Sequence, residues 1–76
     1  MDAYVIRAIR DKYGWTQEEF AGKLRLSTSH IGSVEAGIKK VGSTMRFRIS
    51  QVCDITPEIL EMAARARRLD KLFQEK

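Results

Sequence analysis

Apolar residues recur along this chain at spacings of three and four, and short gaps, each holding a glycine, serine or threonine, separate the runs. Such spacing puts side chains on one helical face, so each run predicts an amphipathic helix. Val5, Ile6, Ile9 and Tyr13 form the first face, with Asp2 placed to cap it and Gly14 where a left-handed residue would close it. Thr16 stands before Gln17, Glu18 and Glu19, the capping-box order in which a hydroxyl and a carboxylate satisfy each other's backbone N–H groups. Phe20, Ala21 and Leu24 follow as the second face. Only Arg25 and Leu26 lie between it and Ser27, the expected cap of a third helix that turns Ile31 and Val34 inward. Two short helices joined so tightly must cross steeply.

The third helix is expected to stop at Gly37, leaving Ile38 to Gly42 as a loop that bears Lys39 and Lys40. Ser43 is read as the cap of a fourth helix, with Met45, Ile49, Val52 and Cys53 on its inner side and Arg46 and Arg48 elsewhere. Thr56, Pro57 and Glu58 open a fifth, because proline suits the first helical position and acids suit the first turn. Its apolar stripe runs through Ile59, Met62, Ala63, Ala66, Leu69, Leu72 and Phe73. The expectation is an all-α, five-helix protein: a domain over residues 1–64 and a C-terminal helical extension over 65–76.

Size and composition narrow the range of chemistry. The 76 residues suffice for one small core, and with 43% apolar and 32% charged residues the chain is expected to fold. A lone cysteine, Cys53, forms no internal bridge and packs like a small hydrophobe, and no paired Cys or His spacing suggests a metal. Nor does the single histidine, His30, stand in a nucleophile-and-base arrangement, so no catalytic residue, metal or cofactor is expected. The apolar runs fall short of the ~20 residues that span a bilayer, which points to a cytoplasmic protein without membrane contact. Net charge is +4. Its distribution says more: between Lys23 and Arg48, six basic residues (Lys23, Arg25, Lys39, Lys40, Arg46, Arg48) face one acid, Glu35. A basic middle favours a polyanionic partner.

Thr16-Gln17-Glu18-Glu19-Phe20-Ala21, followed by Leu24, Ser27, Ile31, Val34, Glu35 and Gly37, resembles the helix-turn-helix of the lambdoid phage repressor and Cro family, also called the XRE family. The likeness extends from Arg10 to the Asp54-Ile55-Thr56-Pro57-Glu58-Ile59-Leu60 stretch. It implies a λ-repressor-like domain that binds double-stranded DNA, with the third helix in the major groove. It also implies an ion pair between Arg10 and Glu35, which occupy the family's matching positions. Two departures bear on function. Arg25 sits in the turn where the family prefers glycine, and Gly32 lies inside the reading helix, where glycine costs ~1 kcal/mol relative to alanine.

With Ile31 and Val34 inward, the residues turned toward DNA are Thr28, Ser29, Gly32 and Ser33, short side chains that give modest selectivity. No arginine, asparagine or glutamine on this helix offers a paired contact to a base. Grip on the phosphates is expected from Gln17, Ser27, His30, Lys39, Lys40 and Arg46, several of which match family positions of that kind. Lys23, Arg25 and Arg48 are read as solvated, and Trp15 as a packing anchor.

The family's habit of two-fold dimers on palindromic sites implies a homodimer here. Met62, Ala66, Leu69, Leu72 and Phe73 are the expected dimer or partner interface, unless the end of the stripe folds back on the first helix. The function so implied is a Cro-like transcriptional repressor of a phage or mobile element. Two alternatives stand beside it: an antitoxin whose C-terminal helix binds its toxin, and a protein-binding adaptor that has lost DNA.

Overall fold

The structure is a computed structural model that describes residues 1–74. Five helices follow one another with no strand among the described residues: α1 (Ala3–Tyr13), α2 (Gln17–Leu24), α3 (Thr28–Glu35), α4 (Ser43–Val52) and α5 (Pro57–Gln74). The fold is the all-α, λ-repressor-like arrangement. Each helix contributes to one core, in which Ile6, Ile9, Phe20, Leu24, Ile31, Val34, Ile49 and Ile59 are almost wholly removed from water. That continuous apolar burial is the main driving force for folding. α1 lies between α3 and α5, while α2 packs on α3 and α4. α1 and α5 run antiparallel, as their end-to-end ion pairs show: Lys12 Nζ reaches Glu58 Oε1 at 2.7 Å at one end, and Arg67 bonds Asp2 at the other.

The helix ends follow local chemistry. Asp2 accepts the Val5 N–H at 3.1 Å to start α1, and Gly14, left-handed at φ 70°, ends it. Thr56 starts α5 by accepting the Ile59 N–H on its hydroxyl at 3.3 Å.

Several expectations need correction. α4 is capped by Gly42, not Ser43: Gly42 has the extended cap conformation, and Ser43 is already the first helical residue. No side chain satisfies the first N–H groups of α4. Cys53 packs against the core as expected, half-buried, but from the residue that closes the helix in extended conformation, while Val52 is exposed. The stop of α3 is as expected: Glu35 is its last residue, Ala36 caps it, and Gly37 follows in the left-handed conformation at φ 79°. Tyr13, placed on the inner face of α1, is exposed.

α5 passes residues 64 and 65 as one unbroken helix, so 65–76 begins as its continuation; the positions after Gln74 lie outside the described residues. Along its stripe Ile59 and Ala63 are buried, Met62 and Ala66 half-buried, and Leu69, Leu72 and Phe73 are 47%, 66% and 76% exposed. The antiparallel pairing explains this gradient. Asp2, just before α1, already meets Arg67, so the last turn of α5 extends past the start of its partner helix.

Candidate nucleic-acid interface

The capping box forms as the sequence order requires: Glu19 donates its N–H to Thr16 Oγ1 at 3.0 Å, and Glu19 Oε1 accepts the Thr16 N–H at 2.8 Å. α2 then ends at Arg25, whose backbone is left-handed at φ 56°. The strain is on the order of 1 kcal/mol for a non-glycine residue. What holds the turn is the Leu26 N–H bonded to Ala21 O at 2.9 Å, and Arg48, whose Nη1 lies 3.1 Å from the carbonyls of both Leu24 and Arg25. Arg48 is therefore not a solvated charge. It reaches from α4 to cap the C-terminal end of α2, where a cation also suits the helix dipole. Lys23 likewise has a partner, its ammonium 4.9 Å from the centre of the Trp15 ring. Trp15 itself stacks on Tyr13 at 4.7 Å and on Phe20 at 5.6 Å, joining the α1–α2 turn to the core.

α3 starts with Ser27 accepting the His30 N–H at 3.1 Å. Ile31 and Val34 are buried beneath it. On its other side Thr28 and Ser29 are exposed and Gly32 and Ser33 half-buried, so the four residues chosen from the helical period share the open face. The Ser29 hydroxyl lies 3.4 Å from that of Ser27.

Beneath the end of α3, Arg10 donates from Nε to Glu35 Oε2 at 2.7 Å and from Nη2 to Oε1 at 2.9 Å, a two-pronged contact, and its Nη1 bonds the Trp15 carbonyl at 3.2 Å. The Glu35 side chain is only 5% exposed. The Glu35 hydrogen bonds raise the Arg10 pKa above its ordinary value despite partial burial. The carboxylate takes a third donor that sequence reasoning missed: Gln17 Nε2, at 3.2 Å. Nothing in the spacing of residues 17 and 35 signals that contact, because it depends on how α2 and α3 cross.

Of the residues expected at the phosphates, Lys39, Lys40 and Arg46 are exposed and form no ion pair among the described residues. His30 and Lys40 line one shallow depression with Ser43 and Thr44, so the start of α3, the loop and the uncapped start of α4 converge there. Gln17 is elsewhere, at the edge of α3 near Gly32. Ser27 is exposed at the α2–α3 turn. Among the described residues no cluster of His, Cys, Asp or Glu could hold a metal, and no helix is long and apolar enough to cross a membrane.

A family model described as helix-turn-helix matches residues 6–60, which covers most of α1, all of α2 to α4 and the first turn of α5. No curated protein and no solved structure matches the chain.

Proposed function

We propose, from the premise that this chain belongs to the XRE-type helix-turn-helix family and is thus a DNA-binding transcription regulator, that it is a Cro-like repressor acting as a homodimer on a palindromic operator. The observation that carries the proposal is the open face of α3, where Thr28, Ser29, Gly32 and Ser33 stand free of the core while Lys39, Lys40 and Arg46 beside it lack acidic partners among the described residues. The short polar side chains would read base edges in the major groove, and the cations would hold phosphates on either side. Ser27 and His30 would add contacts where α3 enters the groove. Such a protein represses by occupying a site that polymerase needs, and a monomer would recognise only a half-site.

A second reading is favoured by one feature, the exposed Leu69, Leu72 and Phe73 at the end of α5. They suit a protein partner as well as a second copy, as in an antitoxin that represses its own operon. In either case the DNA-binding half is the same.

Titration onto a random duplex at two salt concentrations, followed by selection of bound sequences, tests the proposal. Lys40→Ala should weaken all duplexes alike and lower the salt slope by about 1, whereas Thr28→Ala or Ser29→Ala should change the preferred sequence. Binding that ignores salt would leave the adaptor reading in its place.

A further inference from the structure

We infer that Gln17 is a base-reading residue, which reaches the open face of α3 across the gap that Gly32 leaves. This inference rests on the DNA-binding reading above and replaces the phosphate contact expected of Gln17 from the sequence. Its first support is the chemistry of the Gln17–Glu35 bond. A carboxylate offers only acceptors, so the amide must turn its NH2 group toward Glu35, as the 3.2 Å contact from Nε2 to Oε1 shows. The amide oxygen then points away from Glu35. A Cβ built on Gly32 would lie 3.8 Å from that oxygen, so Gln17 Oε1 sits over the one position of α3 that has no side chain.

Gly32 supplies the second support, because neither backbone nor core demands a glycine there. Its φ is not positive, and alanine at this position would meet only an ordinary contact. Glycine inside a helix still costs ~1 kcal/mol relative to alanine, and the cost has no structural return. What the outside of the helix requires is a small residue, since a side chain longer than that of alanine would screen the Gln17 amide beside Gly32.

A third support comes from what α3 lacks. Thr28 and Ser29 are exposed and His30, Gly32 and Ser33 half-buried, with no amide or guanidinium among them for a paired contact. Gln17 brings an amide to the same surface from the neighbouring helix. With one N–H held by Glu35, an oxygen acceptor and one N–H donor remain, the combination that matches N6 and N7 of adenine. A phosphate would use only the remaining N–H and leave the oxygen acceptor unmatched. The side chain is also held in place before DNA arrives, since Arg10 fixes Glu35 through two bonds and Glu35 fixes Gln17.

The test is selection from a randomised duplex library by the full chain, with the wild type compared with Gln17→Ala, Gly32→Ala and Gly32→Leu, each checked for helicity and melting temperature. The wild type should prefer adenine at one position of the half-site by roughly tenfold. Gln17→Ala should reduce that preference to less than about twofold and leave the other positions unchanged. Gly32→Leu, which covers the amide, should lose the same preference at the same position although Gln17 is present, and Gly32→Ala should keep it. If Gln17→Ala weakened every sequence equally and left all preferences intact, Gln17 would be a phosphate or packing residue and the inference would be wrong. The same holds if a folded Gly32→Leu kept the wild-type preference. If the wild type selected no sequence at all, the DNA-reading proposal would fall and this inference with it.

Discussion

A buried carboxylate makes its partner matter more than the pair itself contributes, because removing one member strands the other charge away from water. Glu35 is in that position, 5% exposed, with two of its three side-chain hydrogen bonds coming from Arg10. Arg10→Met should therefore cost about 3 kcal/mol in chemical denaturation, and the double variant with Glu35→Met should recover much of it. A double variant no more stable than the single one would show that the pair acts through geometry alone. The resemblance made this pair legible from the sequence, since both residues stand at family positions. Arg48 was not legible in the same way. Its acceptors are backbone carbonyls at Leu24 and Arg25, and carbonyls carry no residue identity that spacing could reveal. Gln17 was legible as a residue of interest, but its orientation was not, because the bond to Glu35 forms only once α2 and α3 have crossed.

Helix starts were easier to place where a side chain marks them. Asp2, Thr16 and Ser27 each accept a backbone N–H at the position their residue type suggested. α4 is the exception, and Ser43 misled because a hydroxyl next to a glycine was the better cap by type, whereas the chain enters the helix one residue earlier. Gly42 has φ −83° and open space around it, so a side chain fits. Gly42→Ser should add the missing cap and restrict the unfolded chain, raising stability by about 1 kcal/mol in thermal melting. At the start of α1 the cap also carries a charge. Burial alone would raise the Asp2 pKa, but the hydrogen bonds from Arg67 and the Val5 N–H outweigh it and hold the carboxyl below its ordinary 3.8. A group whose pKa falls on folding stabilises above its unfolded value, and that contribution fades as pH drops through the lower folded one. Asp2→Ala should thus cost about 0.5 kcal/mol at neutral pH, since the site is half exposed, and the gap to wild type should narrow below pH 3.8.

The whole molecule has two parts held by different forces. Residues 6–60, the span of the family match, enclose nearly all of the core, while beyond Ala63 the inner face of α5 is attached largely by polar contacts. The Tyr4 ring lies 4.9 Å from the Arg7 guanidinium and 5.2 Å from that of Arg67; Arg67 bonds Asp2, and Arg7 approaches Asp70 at 3.7 Å. The apolar stripe in the sequence hid this arrangement, because periodicity gives the direction of side chains around α5 but not where its partner helix stops. Leu72 and Phe73 keep the helical period beyond Asp70, where α5 meets α1 through Arg7, which is why they face water in the single chain. That separation allows the interface to be tested without disturbing the fold. Ending the chain after Lys71 keeps every contact around Tyr4 and removes Leu72 and Phe73, so the melting temperature should change by less than about 2 °C. If these residues join two copies, sedimentation should show a dimer for the full chain and a monomer for the shortened one, with half-site affinity for DNA unchanged and affinity for the palindrome reduced. A shortened chain that remains dimeric would show that Leu72 and Phe73 do not hold the interface, and a full chain that is monomeric even on DNA would favour a different partner for this helix.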